Sequence, residues 1–221
     1  MRGMNRIGHY SAALVVMASA CVGPPQGGKH VRYPAPVVRP QAVTDAGIRQ
    51  CVSDLSHLSA RYELLPNQRY GEGCSTINSI KLLGVGVPVT NVTAIQCPLA
   101  RSFALWAQGP LQAAARDELG ARVVRIETMG AYSCRNIIGG RSTGLSEHAT
   151  ANALDVSAFI LSDGRRVSVL SGWHGADDER GFLRTIRAAA CKQFQTVLSP
   201  DYNAAHANHF HFDMGRGPYC R

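Results

Sequence analysis

The chain has 221 residues, 45% of them hydrophobic and 17% charged, with a formal net charge of +8. That is material for one globular core rather than two. Its Lys and Arg are spread singly, with no basic helix and no aromatic interleaving, which argues against a nucleic-acid partner; the positive balance suits an anionic cell envelope or solubility alone.

At the amino terminus, Arg2 and Arg6 precede the apolar run Ala12-Ala13-Leu14-Val15-Val16-Met17-Ala18. The run is far short of the ~20 residues that a bilayer core requires, so residues 1–20 read as a secretory signal and not as a spanning helix. Ala18-Ser19-Ala20 lead into Cys21, the first of seven cysteines, and an odd count leaves one thiol over in an oxidising compartment. Met17 to Cys21 resembles the lipobox of bacterial lipoproteins, although position 18 holds alanine where that pattern favours leucine. Acylation of Cys21 and plain cleavage after Ala20 are both open, and acylation accounts for the odd thiol. The expected location is then the periplasmic side of a bacterial envelope, with the chain anchored in the membrane through an amino-terminal lipid. The other cysteines, Cys51, Cys74, Cys97, Cys134, Cys191 and Cys220, show no close pair with the spacing of a zinc knuckle or a redox motif. Three disulfides are expected of them, with the connectivity open.

Residues 21–45 comprise the lipidation site and a linker bearing Pro24, Pro25, Gly27, Gly28, Pro34, Pro36 and Pro40, a composition that favours a semi-extended tether. One folded domain is expected over residues 46–221. Ile48, Val52, Leu55 and Leu58 predict a helix between Val43 and Tyr62, fastened to the body by Cys51. Asn78 to Val89, interrupted by Gly84, Gly86 and Pro88, reads as a strand or loop near a sheet edge. Pro98 opens a helix that turns Phe103, Trp106 and Ala107 to one face as far as Gly109-Pro110. A second helix points Leu111, Ala114, Ala115 and Leu119 inward and stops at Gly120. A strand follows at Arg122–Ile126, before a turn at Gly130. Asp155–Leu161 and Arg166–Val169 form two strands around the turn Asp163-Gly164. Phe182, Leu183, Ile186, Ala190 and Phe194 keep helical period, and a last strand runs from Phe210 to Asp213.

Two segments carry the chemistry. His148 and Asp155 supply one imidazole and one carboxylate, two of the three protein ligands that a catalytic zinc site uses. In His206-Ala207-Asn208-His209-Phe210-His211-Phe212-Asp213, a strand places His209 and His211 on one face and the phenylalanines on the other. Three of the eight histidines within this segment are hard to ascribe to packing.

Ser146 to Asp155 resembles the S-x-H-x-x-G-x-A-x-D motif of the zinc peptidases that include D-Ala-D-Ala carboxypeptidases, D-Ala-D-Ala dipeptidases and murein endopeptidases; His209-Phe210-His211 resembles their H-x-H motif. Tyr132-Ser133-Cys134-Arg135, Ser146-Glu147-His148-Ala149, Asp201-Tyr202-Asn203 and His206 to Asp213 are similar to the bacterial extensin-like family, over roughly Cys51 to Cys220. The resemblance implies an α+β fold of the Hedgehog/DD-peptidase type, a small antiparallel sheet with helices packed to one side. It implies Zn(2+) held by His148, Asp155 and His211, with His209 and His206 as the catalytic histidines. His209 is the expected general base and Glu147 its rival. Arg135 resembles a substrate-binding arginine of those peptidases, and Trp173-His174 is placed to line the cleft, the substrate being peptidoglycan stem peptides or crosslinks; a surface arginine beside a disulfide and a core or rim tryptophan are the open alternatives. Two positions depart from the pattern. Ala151 stands where the motif has glycine, and Asn208 where the dipeptidases have a catalytic glutamate. The second departure keeps open a catalytically degenerate, peptidoglycan-binding envelope lipoprotein.

Overall fold

The structure is a computed structural model that describes residues 46–138 and 144–221. The expected leader, Cys21 and the proline-bearing linker lie outside the described residues.

Helix α1 (Ala46–His57) buries Cys51 and Leu55. It stops before the expected Tyr62 because Ser59 takes a left-handed φ of 48°, after which Ala60–Leu64 forms strand β1. A small hairpin of β2 (Gln68–Gly71) and β3 (Cys74–Thr76) follows, then β4 (Ser79–Val85) and β5 (Ile95–Gln96). Strands β1 and β5 flank β4 in a three-stranded sheet. The segment expected at an edge is therefore a middle strand, in which Ile80, Leu82 and Val85 are buried.

Helix α2 (Cys97–Gln108) carries Pro98 in its first turn, where a missing N–H costs nothing, and buries Phe103, Trp106 and Ala107. Helix α3 (Pro110–Leu119) buries Leu111, Ala114, Ala115 and Leu119. Gly120 caps it at φ 64°, a left-handed position that an L side chain strains to adopt, and its N–H returns to the carbonyls of Ala115 and Arg116.

The rest of the chain builds the principal sheet: β6 (Val123–Gly130), β7 (Ala153–Leu161), β8 (Arg166–Ser168), the short α4 (Val169–Gly172), α5 (Asp177–Ala190), β9 (Thr196–Leu198), β10 (Phe210–Asp213) and β11 (Tyr219–Cys220). Its order is β11-β9-β10-β7-β6, with β8 also on β7, and every pairing is antiparallel except β11 with β9. Phe159, Phe210 and Phe212 form its inner face against Trp106 of α2, Phe182 of α5 and Trp173. All six rings are essentially excluded from water, and each contributes about 1.5–3 kcal/mol of transfer free energy. The fold is α+β.

One irregularity in β7 sets up the site. Thr128 pairs with Val156 but Glu127 pairs with Ala158, so Ser157 is an extra residue on β7, and its hydroxyl donates to the Glu127 carbonyl. Such a bulge shifts the alternation of faces. Leu154 and Val156 point to the core before it, and Phe159 and Leu161 after it. Asp155 is thereby left on the outer face.

The six described cysteines pair as Cys51–Cys97, Cys74–Cys134 and Cys191–Cys220. The first ties α1 to the start of α2. The second ties the β2–β3 hairpin to the segment after β6. The third ties the end of α5 to β11.

Candidate metal centre

His211 on β10 lies directly opposite Asp155 on β7 in the strand register, so the two side chains share the outer face while Phe210 and Phe212 fill the core. His148 reaches the same point from a 3-10 turn, Glu147–Thr150, whose amino end is capped by the Ser146 hydroxyl accepting from the His148 N–H. Ala151 ends that turn at φ 58° and ψ 23°. Ala151, which stands where the motif it resembles has glycine, is therefore left-handed in this chain, a conformation in which glycine is free of the Cβ penalty and alanine is not.

The three side chains meet in a tight triangle. His148 Nε2 is 3.2 Å from His211 Nδ1 and 3.2 Å from Asp155 Oδ2, and His211 Nδ1 is 3.0 Å from Asp155 Oδ1. Donors bound tetrahedrally at zinc's usual bond lengths stand about 3.3 Å apart. The donor set of two imidazoles and one carboxylate, all buried, therefore fits such an ion. The far side of each ring is also fixed. His148 Nδ1–H donates to the Ala131 carbonyl at 2.7 Å, and His211 Nε2–H donates to Asp213 Oδ2 at 3.0 Å. These partners select the tautomers that leave His148 Nε2 and His211 Nδ1 with lone pairs available to an ion. Asp213 stands two residues beyond His211, on the same strand face. That period-2 relation was the available signal for it in the sequence, although the sequence reading used only the H-x-H pair.

Without a cation the cluster holds protons instead. Burial would raise the Asp155 pKa, but hydrogen bonds from His148 and His211 outweigh it and hold the carboxyl far below the usual range. Burial would lower the His211 pKa, but the carboxylates of Asp155 and Asp213 raise it to about 9.

His209 immediately precedes β10. Its Nε2 is 3.5 Å from Asp155 Oδ1, and its Nδ1 is 2.8 Å from Asn208 Oδ1. Burial lowers its pKa; Asp155 opposes this, while His211, His148 and Arg135 add to it. His206 lies against it with ring centroids 5.1 Å apart and is pushed down to about 4, by burial first and then by His209 and His211. The His206 Nδ1 contacts Asn203 Oδ1 at 2.8 Å. Arg135 is half-buried and close enough for its charge to act on both histidines.

Two expected roles change. Trp173 has no exposed surface: its ring packs on Phe210 and under Arg184, and its N–H donates to Asp201 Oδ1. It cannot touch a substrate, and instead anchors the Asp201-Tyr202-Asn203 loop that leads to His206. Glu147 is turned away from the triangle, accepting from the Asn152 amide and lying over Gly215.

A notch of about 180 Å³ has Asn208, the neighbour of His209, in its wall. Strand β10 pairs with β7 through Val156 and β8 resumes from Ala158 on the same side, leaving Ser157 between them. Ser157, Met129, Ser168, Leu170, Arg166 and Asn208 line this gap. Nothing in the linear sequence announced it, because it depends on two separate strands ending against a third.

Fold and site define a disulfide-braced α+β domain with a two-histidine, one-aspartate cluster on the open face of its sheet. Within that class the chain belongs to the extensin-like protein family, whose C-terminal domain matches residues 49–221. No curated protein and no solved structure matches the chain.

Proposed function

We propose that this protein is a zinc-dependent peptidase acting on peptidoglycan peptides, as a murein DD-endopeptidase or carboxypeptidase. The observation that carries the reading is the buried triangle of His148, Asp155 and His211, with the outer nitrogen of each ring already occupied by Ala131 or Asp213. The likeness of its two motifs to the D-Ala-D-Ala peptidases supports it.

When bound by these three residues, zinc supplies Lewis acidity toward a peptide carbonyl and brings the pKa of water toward neutrality. His209 takes up the proton at Nε2, since Asn208 holds a proton on Nδ1. A depressed pKa keeps this imidazole neutral, and so able to accept, at neutral pH. His206 stays neutral beside it and offers a further hydrogen bond to substrate. Arg135 faces the same histidines and holds a peptide carboxylate or main-chain oxygen through its fork of donors. The notch at Ser157 receives a residue beside the scissile bond.

The domain works from the periplasmic side of the bacterial envelope, tethered through acylated Cys21. Intact mass of the protein from native membranes tests the tether: a chain beginning at Cys21 without diacylglycerol mass removes it.

Asn208, standing where the dipeptidases have glutamate, favours a second reading, a degenerate site that binds peptidoglycan without cutting it. Incubation with purified sacculi separates the two. Hydrolysis predicts released peptide fragments, abolished by a chelator and restored by zinc; sedimentation with sacculi without any release supports the binder.

A further inference from the structure

A second cavity, of about 250 Å³, opens beside the β2–β3 hairpin, and none of its lining residues carries a charge. Two tyrosines dominate it. Tyr70 is 51% exposed, and its ring lies 5.5 Å from that of Tyr132, tilted by 38°. The Tyr70 hydroxyl is held by Gln68 and Thr76, which fixes the ring from behind. Three other polar groups of the lining, the Gln68 amide nitrogen and the hydroxyls of Thr93 and Tyr132, have no partner among the described residues. The Cys74–Cys134 disulfide locks the two halves of the cavity together, since Tyr70 precedes Cys74 on the hairpin and Tyr132 precedes Cys134.

Each feature narrows the ligand. A lining without charge would leave an ionic group desolvated and unpaired, which is costly. Aromatic rings with unengaged hydroxyl and amide groups around them suit a molecule that has an apolar face and a rim of hydroxyls. A pyranose ring has that form: its axial C–H face stacks on an aromatic ring, while its equatorial hydroxyls and any acetamido group hydrogen-bond outward. We infer that this cavity binds a neutral sugar unit of a glycan strand, stacked against Tyr70 and Tyr132.

Position gives the binding a use. Tyr132 adjoins Ala131, whose carbonyl accepts a hydrogen bond from His148 Nδ1–H, and Ser133, whose N–H donates to the His148 carbonyl. A glycan held here lies one residue along the chain from the support of the metal centre, so a peptide branching from that glycan starts close to the triangle. The inference stands on the cavity alone and does not require that the metal centre be a peptidase.

Calorimetric titration of the full chain with the β-1,4-linked tetramer of N-acetylglucosamine tests it, with tri-alanine titrated in parallel. Saturable binding of the tetramer is expected, weakened at least about tenfold by Tyr70→Ala and by Thr93→Arg. Thr93 is exposed, so its arginine variant fills the cavity mouth without touching the core; thermal melting checks that both variants fold. Absence of tetramer binding at millimolar concentration, equal binding by parent and Thr93→Arg, or saturable binding of tri-alanine in place of the tetramer each overturns the proposal.

Discussion

Ala151, itself fully buried, holds a left-handed backbone at φ 58° at the end of the Glu147–Thr150 turn. The conformation costs an alanine about 1–2 kcal/mol relative to glycine, and the extra freedom of glycine in the unfolded chain takes back part of that. Ala151→Gly also removes a buried methyl worth about 0.8 kcal/mol, so it should leave stability within about 0.5 kcal/mol of the parent, read from the denaturant midpoint; a loss of about 1.5 kcal/mol or more, the cost of the methyl and chain entropy alone, would mean that the turn is not strained. His209→Ala should keep the bound metal, because its ring is not one of the three converging donors, yet lose about 10²- to 10⁴-fold in peptide hydrolysis. Equal turnover by parent and variant on a cleaved muropeptide would remove His209 as the base. At this scale the ligand triangle was legible in the sequence because its residues sit in two recognisable motifs. Of the two places open to Trp173, cleft or core, the structure gives the core, where a large ring with one polar atom is served by packing and by a carboxylate such as Asp201.

The pairing of β7 with β10 makes His211 and Asp155 one unit, and Asp213 on the same strand extends it. This coupling has a pH signature in the metal-free protein. The folded pKa of His211, about 9, lies above the unfolded value of about 6.5, so its contribution to stability is complete below pH ~6.5 and lost as pH rises through about 9. Asp155 has the opposite sign: its depressed pKa contributes above the unfolded value of about 3.9 and is lost on acidification below it. Chelator-treated protein should therefore melt at progressively lower temperature between pH ~6.5 and ~9, and Asp213→Asn should shrink that dependence. A flat profile across this interval would show that His211 is not held as a cation between the two carboxylates. Among elements, α2, α3, α5 and β10 were readable from periodicity because each buries one continuous face. Of the small β1–β5 region only β4 was anticipated, within Asn78 to Val89 and at an edge instead of the middle. Its other strands are short, and β1 was absorbed into the α1 pattern until Ser59 broke it. The bulge at Ser157 was equally hidden, since an inserted residue mimics ordinary alternation until a partner strand supplies the register.

At the scale of the domain, three disulfides among the described residues brace the fold, Cys51–Cys97 from within the core, while the aromatic cluster carries the sheet. Cys74–Cys134 joins the β2–β3 hairpin to the segment whose Ala131 carbonyl fixes His148, so a covalent staple and the candidate metal-binding triangle belong to one frame. The pairing could not be read from the sequence because connectivity is a property of the folded chain, although the even number left after Cys21 was visible. The proposed peptidase activity depends on that frame holding a metal. Zinc analysis of the whole protein, purified without added metal, therefore tests the account most directly. One zinc ion per chain is expected in the parent, falling to background in His148→Ala, Asp155→Ala and His211→Ala while His209→Ala retains it. A parent without stoichiometric zinc that also fails to take it up on addition, or full occupancy in any of the three ligand variants, would contradict it.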